Sequence, residues 1–372
     1  MWPTDITKFP YLCRTSRILG YARRAEVVQA AYRAARKRRR HSAGVDGQDR
    51  ESFDLAWAEE RSRIPEELEA GAYAWQPFLR CRIEPVGAKA RDVYVPTRRD
   101  ATASGMLMRA LYHLHVERVL HDSASAYRLK RGPRLAVEHV FRRASESLPW
   151  FLGLDIKSYF PSIDLEMALR DLDVLTGDPA VVHYVRERFT TGAVSDGVLV
   201  PFTGVAPGDP LAGLMANLFL AAEDRQIAAR VPVYVRYCDD LCMLLRSKGE
   251  AEDALTLATD LLGRRGLMVK PESVRIVDLR EGRAEMLGLE FDLETPWVSV
   301  SRVARLRQRL EAVAERYDMR PDVGARKAAD LLRGTLEYAR GARNLEVVYD
   351  LVRRAGQVFP GGNWRAVLRR SR

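Results

Sequence analysis

Val235-Arg236-Tyr237-Cys238-Asp239-Asp240-Leu241 sets two adjacent acids between apolar flanks. Read over residues 233–245, those flanks predict two short strands, with Asp239 and Asp240 at the tip of a tight hairpin. Adjacent buried carboxylates repel and raise one another's pKa, so such a pair is unfavourable unless a cation neutralises it. The bland alternative is an exposed turn between surface strands, since Asp is an ordinary turn residue. Cys238 and Cys242 flank the acids and read as small core-facing residues, not metal ligands.

Upstream lies Gly153-Leu154-Asp155-Ile156-Lys157-Ser158-Tyr159-Phe160-Pro161-Ser162-Ile163. An apolar strand over 150–155 brings Asp155 to its end, and Asp164 is placed to cap a following helix. Strand ends in mixed sheets are where ligands bind, although Asp155 alone reads equally well as a helix cap. Phosphodiester synthesis uses two divalent cations that clamp the attacking and leaving oxygens. Hard cations take oxygen ligands, which converging carboxylates supply.

Outward from these segments, residues 15–40 predict an amphipathic helix striped by Ile18, Leu19, Ala22, Ala25 and Val28 and ending in the basic run 36–40. Gly44-Val45-Asp46-Gly47 is a turn, and 50–70 a second helix. Residues 78–96 alternate as a hairpin with a basic tip at Gly87-Ala88-Lys89-Ala90. Helices are expected at 101–121, 135–147, 211–230 and 251–265, and strands near 267–277 and 285–293. From Ser301 the pattern is all helix, with Val303, Leu306, Leu310, Val313 and Tyr317 at helical spacing. Lys and Arg number 60 against 50 acids, a net charge of +10, which points to a polyanion such as nucleic acid or, more plainly, to a protein that is merely basic. A hydrophobic fraction of 47% is ample for a core and argues against disorder. Cysteines 13, 81, 238 and 242 have neither zinc-site spacing nor a disulfide framework, which fits a reducing, cytoplasmic compartment. The N-terminus lacks the features of a signal peptide, and no run approaches the ~20 apolar residues of a membrane span.

In this order, the two acidic segments resemble the palm of bacterial reverse transcriptases: the Asp155 stretch is similar to that family's motif A, and Tyr237-Cys238-Asp239-Asp240 to its motif C. The likeness runs collinearly over residues 40–345. Gly44 to Gly71 is similar to the opening of group II intron-like enzymes, and Lys89-Ala90-Arg91 and Ser125 to Arg134 to their fingers blocks. Gly204 to Asn217 resembles motif B, Gly266 to Ile276 motif D, Met286-Leu287-Gly288 the primer grip, and Leu332-Arg333-Gly334 with Tyr338 the thumb. The resemblance implies an α+β right-hand fold: N-terminal helices and fingers over 1–150, an antiparallel palm sheet flanked by helices over 151–297, and a helical thumb over 298–372.

It implies catalytic and metal-binding roles for Asp155, Asp239 and Asp240, with Ile156 beside them, on two Mg²⁺ ions or Mn²⁺ in their place. Phe160 falls at the steric gate that excludes ribonucleotides. Lys89 and Arg91 would hold the triphosphate; Pro207, Gly208 and Lys270 complete the nucleotide set. Arg128, Lys130 and Arg131 would meet template phosphates, and Tyr237, Leu287 and Gly288 the nucleic acid; for the basic residues the bland reading is surface charge. Two departures stand out. The glutamine of motif B is replaced by Pro207, which has neither amide side chain nor N–H, and the Ser-Pro pair by Ala212-Gly213. The lysine of motif D falls on Ser273, with Lys270 three residues earlier as its stand-in. The implied partners are an RNA template, in particular a structured non-coding RNA, a DNA product and dNTPs, with no membrane and the oligomeric state open. No zinc-knuckle, endonuclease or ribonuclease H segment is apparent, which turns the reading towards antiphage-defence enzymes over diversity-generating and retron ones. The alternatives are template-independent or protein-primed synthesis on the same fold, and a non-catalytic RNA-binding scaffold.

Overall fold

A computed structural model describes residues 10–37, 43–84, 90–128, 130–359 and the single residues 362, 364 and 367. Lys89 and most of the basic run at 36–40 lie outside the described residues. Four helices open the described chain: α1 (Pro10–Thr15), α2 (Arg17–Ala22), α3 (Ala25–Arg36) and α4 (Arg50–Ala70). The single helix expected over 15–40 is divided at Arg23-Arg24, so that Ile18, Leu19 and Ala22 of α2 and Val27, Val28 and Ala31 of α3 reach one core from two directions. Asp49 caps α4 by accepting from the Ser52 amide at 3.0 Å, and Gly71 ends it in the left-handed conformation. The hairpin of β1 (Phe78–Ile83) and β2 (Arg91–Val95) leads into α5 (Arg98–Leu111), which is buried almost throughout. A π-turn over Tyr112–Val116, α6 (Glu117–Val119) and α7 (Pro133–Phe141) follow. The helix expected over 135–147 stops at Phe141, where the chain turns into a bridge between Ser145 and Leu148.

β3 (Trp150–Asp155) begins the part of the chain that builds the site. After it come α8 (Tyr159–Ser162), α9 (Leu165–Thr176), α10 (Pro179–Thr190), β4 (Ala193–Ser195), β5 (Val198–Val200), α11 (Pro210–Phe219) and α12 (Ala221–Ala228). Asp164 caps α9 as expected, accepting from the Met167 amide at 2.8 Å. The helix expected over 211–230 is broken at Leu220. Next are β6 (Val233–Tyr237), β7 (Asp240–Leu245), α13 (Lys248–Arg264) and β8 (Arg275–Asp278). The strand expected from 267 begins only at Arg275, because Pro271 has no N–H for a ladder and the chain makes a short 3₁₀ turn there.

The central sheet has the order β6-β7-β3-β8, antiparallel throughout. β3 and β7 read as near-continuous apolar runs because both faces are covered. Alternate residues divide between two cores: Leu152, Leu154, Leu241, Met243 and Leu245 join one with α9, α11 and α13, while Phe151, Val233, Val235, Cys242 and Leu244 join another with the C-terminal helices. Gly153 leaves room for the Phe151 ring, which would lie 2.7 Å from a Cβ at that position. A second sheet, β2-β1-β4-β5, takes two strands from the N-terminal part and two from beyond β3. The last part consists of β9 (Ala284–Met286), β10 (Leu289–Phe291), β11 (Pro296–Val298), α14 (Val300–Arg316), α15 (Pro321–Tyr338) and α16 (Glu346–Val358). The architecture is α+β, as the sequence reads, with the all-helical stretch starting at Val300. Among the described residues no helix is long and apolar enough to cross a membrane.

Candidate active site

Asp155 ends β3 and stands opposite Asp240, the first residue of β7, in the antiparallel register. Tyr237 pairs with Asp240 across the next hairpin, so Cys238 and Asp239 form its turn. The Ile156 amide donates to the Asp239 carbonyl at 3.0 Å and holds that turn against the exit from β3. The three acids are thereby gathered at one end of the sheet. Cys238 has φ of +63°, a region that side-chain-bearing residues rarely adopt. Such strain, about 1–3 kcal/mol, persists only where the surroundings over-determine it. Here the Cys238 carbonyl accepts from Arg236 Nη1 at 3.1 Å, and its thiol lies 3.4 Å from the Tyr127 hydroxyl. Arg236, fully buried, forks onto the two Asp224 oxygens at 2.8 and 2.6 Å and reaches Asn217 Oδ1 at 3.3 Å.

Burial raises the Asp239 carboxyl above its ordinary range; the charge of Asp155 adds to the rise and Lys270 opposes it. Asp240 is pushed up to about 8, by burial first and then by a hydrogen bond with Asp155 and the charges of Asp155 and Asp239. A set of hard carboxylate oxygens that repel one another in partial burial fits Mg²⁺ or Mn²⁺. Among the described residues no three acid, thiol or imidazole groups already meet as a ligand cluster; the Asp155–Asp240 hydrogen bond engages oxygens that a cation would take. The Lys270 ammonium stands 3.9 Å from Asp155 Oδ2, and its amide donates to the Asp155 carbonyl at 2.9 Å. Ser273 is buried: its hydroxyl accepts from the Asp155 amide at 2.8 Å and donates to the Lys270 carbonyl at 2.6 Å. It fixes both the acid and the lysine.

Phe160, half-buried on α8, meets the Tyr127 ring edge-on at 6.0 Å, and its carbonyl accepts from the Val205 amide at 3.1 Å. Pro207 is half-buried and its carbonyl accepts from the Tyr94 amide of β2 at 3.4 Å. Gly208, at φ of +113°, brings its backbone so close to β2 that a Cβ would lie 2.7 Å from the Tyr94 oxygen. The departure from a glutamine thus sits where the chain is stitched to the β1–β2 hairpin. Arg91 opens β2 opposite Ile83 and is exposed.

The family model for reverse transcriptase (RNA-dependent DNA polymerase) matches residues 102–291, half of the chain. The chain belongs to the reverse transcriptase family. This places it among enzymes of the nucleotidyltransferase class. Protein YkfC of Escherichia coli (strain K12) is similar, 22% identical over 199 residues that cover 51% of this chain and 51% of that protein. The chain therefore spans about half the length of this curated relative. The span matched by the reverse transcriptase family holds Asp155, Asp239 and Asp240 but not the β1–β2 hairpin.

One assignment drawn from the reverse transcriptase resemblance is corrected. Arg128, expected on a template phosphate, is buried: its guanidinium meets Glu117 at 2.6 Å and donates to the His121 and Ala124 carbonyls at 2.8 and 2.9 Å. A buried cation whose donors are engaged within the protein has none to offer a phosphate. Lys130 is exposed, and Arg131 is half-buried and bonded to Asp122 at 2.5 Å. Tyr237 is half-buried beside Asp240. Leu287 and Gly288, both at positive φ, turn β9 into β10, and the Leu287 carbonyl accepts from Arg302 Nη1 at 3.2 Å and the Tyr338 hydroxyl at 3.0 Å. Sequence reasoning passed over Arg236, Ser273 and Tyr127. The apolar neighbours of Arg236, Val233 and Val235 on one strand, were the available signal of its burial; for Ser273 the signal was its place at the motif D lysine position.

Proposed function

We propose that this chain is an RNA-directed DNA polymerase that extends a primer 3′ end with dNTPs. The observation that carries the reading is Asp155 standing opposite Asp240 with Asp239 on the intervening turn. Asp155, Asp239 and Asp240, with the Ile156 carbonyl beside them, would hold two Mg²⁺ ions, which when bound activate the attacking 3′ oxygen and steady the leaving pyrophosphate. Lys270, beside Asp155, donates the proton that pyrophosphate takes up. Phe160 crowds a 2′-hydroxyl and selects dNTPs. Arg91, together with Lys89, neutralises the triphosphate. Lys130 and Arg131 make sequence-independent contacts with template phosphates, and Tyr237 and the Leu287-Gly288 turn support the primer end. In this reading residues 1–150 are the fingers, extended by β4 and β5, residues 151–297 the palm and residues 298–372 the thumb. The template is a dedicated non-coding RNA and the setting antiphage defence.

The test is primer extension on an RNA template with Mg²⁺, comparing the wild type with an Asp239→Ala/Asp240→Ala double variant that retains its fold. Template-dependent product from the wild type and background from the variant is the expected result; equal product from both would sink the catalytic claim and favour an RNA-binding scaffold. Plating efficiency of phage on cells carrying either form tests the defence role, which fails if the two plate alike. Pro207 favours a second reading, template-independent or protein-primed synthesis, since the position lacks an amide side chain to pack beside a templated nucleotide. Omitting the template decides between the two.

A further inference from the structure

Among the described residues, Tyr127 is the one beside the acids that is at once strained, aromatic and open to solvent. Its φ is +59°, and 52% of its surface is exposed. Its neighbour in the site, Tyr159, is wholly buried, with its hydroxyl on the Ala216 carbonyl. Core packing explains Tyr159; it does not explain a half-open ring held in a left-handed backbone.

The ring is held from several sides. Its atoms would lie 2.5–2.9 Å from a Cβ at residue 213, so Gly213 of α11 is what admits it. The ring stands roughly perpendicular to the Phe160 ring at 6.0 Å, and its hydroxyl lies 3.4 Å from Cys238 Sγ, next to Asp239. The backbone on either side is pinned: the Ser125 amide donates to the Arg236 carbonyl at 2.9 Å and Asn217 Nδ2 to the Ala126 carbonyl at 2.8 Å. Arg128 ties the following residue to Glu117 and to the His121 and Ala124 carbonyls. The buried Arg128 thus serves the display of Tyr127.

A rigid, half-open aromatic face between the gate residue and the catalytic turn is a surface on which a base can stack at little entropic cost. We propose that Tyr127 is a specificity-determining residue whose ring packs on the nucleobase pair being formed. The inference rests on the polymerase reading above.

The test is single-nucleotide incorporation by the full chain on a defined RNA template and DNA primer, with each dNTP in turn. Stacking on an aromatic is worth enough that Tyr127→Ala is expected to raise KM for the correct dNTP about tenfold. It should change kcat less, and narrow the preference for correct over incorrect dNTPs. Tyr127→Phe, which keeps the ring, restores both. Wild-type KM and selectivity in a folded Tyr127→Ala protein would overturn the proposal, as would a loss in Tyr127→Phe equal to that in Tyr127→Ala, which would place the role in the hydroxyl–Cys238 contact. Should Tyr127→Ala not fold, Tyr127→Leu, similar in bulk and without the π face, carries the same expectation. Failure of the wild type to incorporate at all would instead overturn the polymerase reading.

Discussion

Replacing Arg236 by Met isolates what the buried guanidinium does. The side chain is wholly buried, and its partner Asp224 is 1% exposed. The change removes the fork onto Asp224, the bond to Asn217 and the bond to the Cys238 carbonyl. Breaking one side of a buried ion pair costs about 3–5 kcal/mol, chiefly because the other charge stays behind. The Tyr234 hydroxyl still donates to Asp224 at 2.8 Å, so the middle of that range, about 4 kcal/mol, is expected. Met fills a similar volume, so a cavity adds little. Unfolding entropy of about 2.1 cal/mol/K per residue over the chain gives about 0.8 kcal/mol/K, and Tm should fall by about 5 °C. Pairing the change with Asp224→Leu removes the stranded charge and should recover most of the loss, as replaced buried pairs commonly do. Extension should not recover, because the Cys238 carbonyl still lacks the guanidinium donor that helps to fix its left-handed turn. Thermal unfolding followed by circular dichroism, beside primer extension, separates the two effects. A Tm unchanged in Arg236→Met, or activity that returns together with Tm in the double variant, would refute the reasoning.

Phe160→Val should open the gate: selectivity for dNTP over rNTP is expected to fall by about 10–100-fold, read as rNTP extension products on the same primer. An unchanged ratio would remove Phe160 from that role. The folded-state pKa of Asp240, raised from 3.8 to about 8, means the folded protein binds the proton more tightly than the unfolded chain. With divalent cations chelated, the contribution is therefore fully present below the ordinary carboxylate pKa and is lost as pH rises towards 8. Tm of the chelated protein should fall over that window, Mg²⁺ should restore more of it at the alkaline end, and Asp240→Asn should flatten the slope; a Tm that rises with pH in chelator contradicts it. Finally, Lys130→Ala should lower the salt slope of template binding by about 1, while Arg128→Gln leaves the slope alone and lowers Tm. The reverse pattern would restore Arg128 to the template.

The sequence is most readable where geometry repeats. The apolar stretch ending at Asp155 predicts a strand over 150–155, and the structure sends Phe151 to one core and Leu152 and Leu154 to the other. Asp-Asp between two such runs predicts the hairpin, and the pairing of Tyr237 with Asp240 matches it. Asp164 caps its helix for the local reason that its carboxylate reaches an amide three residues on. What stays hidden depends on partners distant in sequence. Ser273 reads only as a replaced lysine in an expected strand until β8 packs beside β3 and puts its hydroxyl on the Asp155 amide. The strand expected from 267 fails for a reason that was visible, Pro271, yet the consequence, a turn that carries Lys270 up to Asp155, needed the fold.

Arginine is where a sequence reading of charge goes furthest astray. Arg128, Arg188 and Arg236 are all buried, while Arg305, Arg307 and Arg309 of α14 are exposed, and only for Arg236 do apolar strand neighbours announce the burial. Each of these three carries an acid with it: Glu117, Asp209 and Asp224 respectively. In the Arg188–Asp209 and Arg236–Asp224 pairs both partners are buried, so as much negative as positive charge leaves the surface. The excess of +10 is therefore left to the residues outside such pairs, α14 among them. Arg128, the arginine first assigned to a polyanionic partner, is buried and so not among the surface cations. Net charge constrains a surface as a whole; only packing says which cations belong to it.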